Sequence, residues 1–273
     1  AQTSWYNGTW GGRNASWAAN SSLRYWYNNL ALVSFTIQYP TNTTYATTAP
    51  IPLKYSVGSM AGISQCWYSL NNGDNQTLPG CTNTTINASG GANFLMVYAN
   101  DTNGNMDSFP IYFTKINSSV LGSCAVLIMD NGEYTLSNSI SINGATCFNI
   151  TAQNVTLDCA GLNVTGNRTS NTYGVYSDQF NTTVRNCNIT NFYIGVYFSG
   201  SRNGTIENVV ARSSTSGYGI YLSASANNTI TGSTTSSNTS YGIALSASAN
   251  NTIFNSTGTS NYGYGIYLGS SSG

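Results

Sequence analysis

The chain has 273 residues, of which 8 are basic, 8 acidic and none histidine, so only 6% carry charge, where soluble domains run near a quarter. So sparse and balanced a charge gives no field to gather nucleic acid or anionic lipid. Without imidazole there is no Ser-His-Asp or Cys-His nucleophile system and no His-containing zinc or copper site. Uncharged polarity fills the place of charge, with 37 Asn, 71 Ser plus Thr and 28 Gly. A hydrophobic content of 40% is too high for a solvated tail, and no apolar run approaches the length that spans a bilayer. With no initiator Met and no basic-then-apolar leader, the sequence reads as a mature, processed chain.

Residues 1–34 form an aromatic arm. They hold four of the five tryptophans, Trp5, Trp10, Trp17 and Trp26, beside Tyr6, Tyr25 and Tyr27. Aromatics at that density need a cover, either the chain's own domains or another subunit.

Residues 35–117 change to short alternating runs: Phe35–Tyr39, Ile51–Val57, Cys66–Leu70, Phe94–Ala99 and Ile111–Phe113, separated by turn residues. This spacing predicts a small β-sandwich. The phrases Tyr39-Pro-Thr-Asn, Cys66-Trp-Tyr-Ser-Leu-Asn-Asn-Gly and Tyr98-Ala-Asn-Asp-Thr-Asn-Gly-Asn resemble the Ig-like domains of bacterial and archaeal extracellular proteins. Asp101, Asn103, Asn105 and Asp107 alternate as calcium ligands do, but Gly104 is out of place for an EF-hand and Tyr112 stands where its bidentate Glu belongs. An Asx-rich turn is the expectation here.

Residues 118–273 are repetitive. Asn154-Val-Thr-Leu, Asn181-Thr-Thr-Val, Asn203-Gly-Thr-Ile, Asn227-Asn-Thr-Ile and Asn250-Asn-Thr-Ile march in step with Tyr173-Gly-Val-Tyr, Ile194-Gly-Val-Tyr, Tyr218-Gly-Ile-Tyr, Tyr241-Gly-Ile-Ala and Tyr264-Gly-Ile-Tyr. Each phrase is a short β-branched run bounded by Gly, Ser or Asn, and none has helical periodicity, so each period of about 23 residues predicts one β coil. Stacked coils make columns. Val175, Val196, Ile220, Ile243 and Ile266 would form one core column, and Leu157, Val184, Ile206, Ile230 and Ile253 another. Cys159, Asn186, Asn208, Gly232 and Asn255 read as a ladder of inward amides at a turn. Asp158, Arg185 and Glu207 read as an outward ion ladder rather than a catalytic set, because an Arg separates the two acids. Tyr176, Tyr197, Tyr221 and Tyr267, interrupted by Ala244, form an outward aromatic column that either packs on the pleated surface or meets sugar rings or a subunit.

The run Cys147-Phe-Asn-Ile-Thr-Ala-Gln-Asn-Val-Thr-Leu-Asp-Cys-Ala-Gly with the repeats that follow resembles right-handed parallel β-helix proteins of the pectin-lyase-like and NosD-like type, common in archaeal-type prokaryotic surface proteins. That resemblance implies an all-β chain, an Ig-like β-sandwich followed by a right-handed parallel β-helix. The enzymes of that type present clustered Asp with Lys or Arg, which Asp130, Glu133, Asp158, Asp178 and Glu207 do not match in this sequence. Copper association of the NosD-like type lacks ligands too, since there is no His and Met60, Met96, Met106 and Met129 all precede the repeats that begin at about Asn154.

Six cysteines without a CxxC pair predict disulfides in an oxidising compartment, and sequence proximity pairs Cys66 with Cys81, Cys124 with Cys147 and Cys159 with Cys187; buried free thiols are the alternative. Asn-x-Ser/Thr acceptors stand at Asn7, Asn14, Asn20, Asn42, Asn75, Asn83, Asn87, Asn100, Asn117, Asn149, Asn154, Asn163, Asn167, Asn181, Asn188, Asn203, Asn227, Asn238, Asn250 and Asn255. Composition alone accounts for 37 × 71/273, about 10, or half of these 20. Glycosylation of several of them explains the excess and supplies solubility, while Asn and Thr also suit turns.

Together these features predict a non-catalytic, heavily N-glycosylated extracellular protein of the cell surface, without cofactor or metal. It would be a subunit of a filament, sheath or S-layer assembled head to tail from copies of itself. The repeats stop part-way through a coil, which leaves an end for a further coil or a neighbour. A glycan-binding adhesin is the second reading, and a polysaccharide lyase or hydrolase the third.

Overall fold

The computed structural model describes residues 33–213 and 217–270. Residues 1–32 of the aromatic arm, with Trp5, Trp10, Trp17, Trp26 and the acceptors Asn7, Asn14 and Asn20, lie outside the described residues, while its last residue, Ser34, opens the first strand. The described chain is all-β apart from a single 3-10 turn, Pro79–Cys81, and divides into two compact units.

One unit comprises residues 33–42, 50–88 and 92–113. Its strands pair antiparallel: Ser34–Tyr39 with Ile51–Gly58, the latter with Thr84–Ile86, and Ile63–Leu70 with both Gln76–Leu78 and Gly91–Asp101. Alternation sends Ile51, Leu53 and Tyr55 inward on one strand and Leu95, Val97 and Ala99 inward on another. The Cys66–Cys81 disulfide closes a separation of 15 residues here. On the side of the Cys66 strand away from that core, Trp67 stacks on its cross-strand partner Tyr98 with ring centroids 5.5 Å apart.

The other unit comprises residues 43–49, 89–91 and 114 onward, and it is a parallel β-helix. Three strands make one coil, and each stacks on its equivalent in the next coil. The first face runs through Thr44–Ala46, Ala125–Leu127, Phe148–Ile150, Tyr173–Ser177, Ile194–Ser199, Ile220–Ser223, Ile243–Ser246 and Ile266–Gly269. The second runs from Val120–Leu121 through Thr156–Asp158 and Thr205–Glu207 to Thr252–Phe254, and the third from Ile140–Ser141 to Thr257–Ser260.

Register follows the repeats. Val175, Val196, Ile220, Ile243 and Ile266 lie opposite one another in turn, as do Leu157, Val184, Ile206, Ile230 and Ile253. The two columns fill the interior, and only their last members, Ile253 and Ile266, lose full burial. The glycine of the Gly-Val or Gly-Ile step in these phrases has a steric cause. A Cβ on Gly195, Gly219 or Gly242 would stand 2.5, 2.6 or 2.7 Å from the carbonyl oxygen of Gly219, Gly242 or Gly265 respectively, closer than a side-chain carbon can approach. Backbone of successive coils touches there, so no side chain fits.

The expected inward Asn ladder is corrected. Asn186, Asn208, Gly232 and Asn255 do mark a turn, with φ of +53°, +51°, +59° and +46°, but the asparagine side chains are half-buried or exposed. Asn is used there because it tolerates the left-handed conformation, not because its amide fills the core. The inward amides are Asn228 and Asn251 instead. Asn228 Nδ2 donates to Asn251 Oδ1 (3.0 Å) and to the Ser201 carbonyl (3.1 Å), and Asn228 Oδ1 accepts from the Gly204 amide at 2.7 Å. Beside them Ser201, Ser225 and Ser248 form a buried hydroxyl column, each donating to a carbonyl of the preceding coil.

Candidate functional site

Two disulfides staple the early coils, pairing as sequence proximity predicts. Cys124 and Cys147 sit side by side at the start of adjacent first-face strands, and Cys159 and Cys187 join the turns after the second face. Among the described residues no helix is long and apolar enough to cross a membrane, and no three of His, Cys, Asp and Glu cluster as a metal site would.

The charged column is a register device. Asp158 and Arg185 are opposed in the sheet and bridged, Arg185 Nε to Asp158 Oδ2 at 2.8 Å. Glu207 is next in register but forms no ion pair among the described residues. Burial alone would raise the Asp158 carboxyl, yet hydrogen bonds from the Ala160 amide and the Asn186 side chain, with the Arg185 guanidinium, hold it below its ordinary value.

In the Asp101 loop the carboxylate is already fully engaged. Oδ1 accepts from the amides of Asn103 (3.0 Å) and Asn105 (2.9 Å), and Oδ2 from Ser59 Oγ (3.0 Å) and Asn105 Nδ2 (2.9 Å). Asp101 is 2% exposed and closes an Asx turn between the strands Gly91–Asp101 and Met106–Ile116. The Asn105 side chain is the first cause of its lowered pKa.

The aromatic column is larger than the four residues the repeats single out. Tyr176, Tyr197 and Tyr221 are in register, and Tyr197 stacks on Tyr221 at 5.2 Å with planes 9° apart. Tyr176 meets Tyr197 edge-on at 5.5 Å. At the gap left by Ala244, Tyr241 leans in. It lies 5.7 Å from Tyr218, which stacks on Tyr221 at 4.6 Å, and 4.5 Å from Tyr267 with planes 20° apart. Tyr173 packs on Tyr176 and Tyr197, and Tyr264 on Tyr241 and Tyr267. Eight tyrosines thus make one unbroken stack along the first face. Burial pushes the Tyr173, Tyr176 and Tyr218 phenols up from their ordinary value, so they stay protonated at neutral pH. The signal for the missing four was present in the repeats, because Tyr173, Tyr218, Tyr241 and Tyr264 all open the phrase that Tyr176, Tyr221 and Tyr267 close.

Most of the described acceptor asparagines are exposed; Asn100, Asn149, Asn154, Asn188 and Asn238 are half-buried, and the amide oxygens of Asn100 and Asn149 are buried. Asn154, Asn181, Asn203, Asn227 and Asn250 repeat at one turn with φ between +55° and +59°. Asn181 Nδ2 donates to Asn154 Oδ1, and Asn154 Nδ2 to Asn131 Oδ1, both at 3.1 Å.

This arrangement defines a parallel β-helix protein with an aromatic stripe and an asparagine-edged turn. Residues 173–273 match the family model described as right-handed beta helix region. No curated protein matches the chain significantly. Among solved structures the chain is similar to the family 28 exopolygalacturonase of Yersinia enterocolitica, with 11% identity, 86% of this chain and 70% of that chain covered, and a TM-score of 0.28.

Proposed function

We propose that this chain is a non-catalytic, N-glycosylated structural protein of the cell surface, a subunit of a filament, sheath or S-layer that assembles head to tail, built from an Ig-like domain and a β-helix of archaeal surface type. The observation that carries this reading is the regular coil stack with acceptor asparagines on its exposed turns. Its surface is given to repeated turns and an aromatic stripe, and its inward polar groups to hydrogen bonds between coils. Three disulfides fit an oxidising, extracellular setting. An unpaired edge strand of a β-helix accepts a further strand, in this reading from another copy, and contacts of that heterologous kind propagate.

Negative-stain microscopy and intact mass of native material test the proposal. Filaments or sheets carrying glycan mass are expected, and deleting residues 1–29 should yield monomers. Dispersed, unglycosylated monomers would overturn it.

A second reading, a glycan-binding adhesin, rests on the partly exposed tyrosine stack, whose outward hydroxyls and ring edges would hydrogen-bond a glycan. A glycan-binding assay with Tyr197→Ala and Tyr221→Ala separates the two readings, since a building block loses nothing.

A further inference from the structure

We propose that the tyrosine stack is an oxidative cross-linking site, at which a one-electron oxidant drives formation of an intramolecular dityrosine bridge between successive coils, at Tyr241 and Tyr267. Three features carry it. The stack is continuous, with ring centroids from 4.5 to 6.0 Å apart across all eight residues, so a phenoxyl radical formed on any member has a phenol in contact to exchange with. Among contacts that join different coils, Tyr241 with Tyr267 is the shortest, at 4.5 Å and 20°. Finally, Ala244 is the register partner of Tyr267, and its small side chain leaves the place where the two rings overlap.

The chemistry balances with a peroxide as oxidant. Each phenol gives up one electron and one proton, and the two phenoxyl radicals join through ring carbons ortho to oxygen. One carbon–carbon bond forms, two aryl C–H bonds break, and both rings return to phenols. Hydrogen peroxide takes up the two electrons and two protons and leaves as two waters, with a haem peroxidase as the one-electron catalyst. The product is a covalent staple across coils that no disulfide joins.

Exposure and stacking predict different products, so the two can be told apart. Tyr262 is 82% exposed and Tyr112 58% exposed, and neither belongs to the stack. Simple surface reactivity would couple these two and join separate molecules. The full chain at low concentration is treated with peroxidase and hydrogen peroxide, then digested and mapped by mass spectrometry with dityrosine fluorescence as a second readout. A Tyr241–Tyr267 cross-link in protein that still runs as a single chain on a denaturing gel is expected. Tyr241→Phe should remove most of the fluorescence with an unchanged circular dichroism spectrum, and Tyr262→Phe should leave it intact. Cross-links centred on Tyr262 or Tyr112, covalent dimers as the main product, or fluorescence that survives Tyr241→Phe in folded protein would overturn the proposal. Should Tyr241→Phe unfold the chain, Tyr267→Phe gives the same test from the other ring.

Discussion

Gly219 shows how a repeated residue reports a backbone contact. Its absent side chain lets the Gly242 carbonyl oxygen lie where a Cβ would be 2.6 Å away, with Thr235 Cβ at 2.7 Å on another side. Neither neighbour can retreat without opening the sheet, because the Ile220 amide donates to that same Gly242 carbonyl at 3.0 Å. Gly219→Ala is therefore expected to destabilise the helix by about 1–3 kcal/mol, the ordinary range for overpacking. Gly58→Ala is the control, since its nearest neighbour, Ser34 Oγ, is 4.0 Å off, and its effect should stay within about 0.5 kcal/mol. Urea unfolding with amide exchange, in the coil of Gly219 for the first and in the strand Ile51–Gly58 for the second, measures both. The tyrosines teach a related lesson at this scale. Register alone places Tyr176, Tyr197 and Tyr221 in a column, and that much is legible from the repeats. The bridging of Ala244 by Tyr241 depends on side-chain lean across neighbouring positions, which a column model treats as independent. The inward amide is hidden in the sequence for a similar reason. In Asn227-Asn228 and Asn250-Asn251 the first residue takes the left-handed turn, while the second hydrogen-bonds between coils, Asn228 buried and Asn251 half-buried with its Nδ2 donating to the Ser225 carbonyl, and two identical letters hide that division.

At the scale of the element, the pair of strands Gly91–Asp101 and Met106–Ile116 depends on one carboxylate. Asp101 accepts four hydrogen bonds at its turn, which together lower its pKa beneath the ordinary value of 3.8. A depressed carboxylate contributes stability in full above its unfolded value and loses it as pH falls through the folded one. Protection of the Asn103 and Asn105 amides should thus be constant from neutral pH down to about 3.8 and fall only below it. In Asp101→Asn the same amides should be less protected at neutral pH, and the gap from wild type should close in acid. A gap that persists unchanged below that range would mean the charge is not what closes the turn. The alternating oxygens of this loop are legible in the sequence, but which ligand they serve is decided by geometry: Ser59, distant in sequence, arrives to take the second carboxylate oxygen.

For the β-helix unit as a whole, coils touch only their neighbours, so stability is a sum along the axis rather than one cooperative number. Two observations give that sum a slope. The third-face column runs Val164, Ile189, Ala211, Thr235 and Gly258 in register, branched aliphatics in the early coils and small or hydroxylated residues in the later ones. The Cys124–Cys147 and Cys159–Cys187 disulfides, spanning 23 and 28 residues, both lie among the early coils, and loops of such length stabilise by about 3 kcal/mol each. Hydrogen exchange should therefore show protection descending from the coils of Leu157 and Ile189 to those of Ile253 and Gly258. Opening should proceed in steps of one coil. Reduction should lower protection in the stapled coils and leave the coils beyond Ile206 nearly unchanged, since they share no contact with either disulfide. Uniform protection that falls everywhere on reduction would mean a single cooperative unit instead. The graded reading also gives the tyrosine stack a mechanical sense, because Tyr241 and Tyr267 join coils that lie past both disulfides, where the third-face column has come down to Thr235 and Gly258.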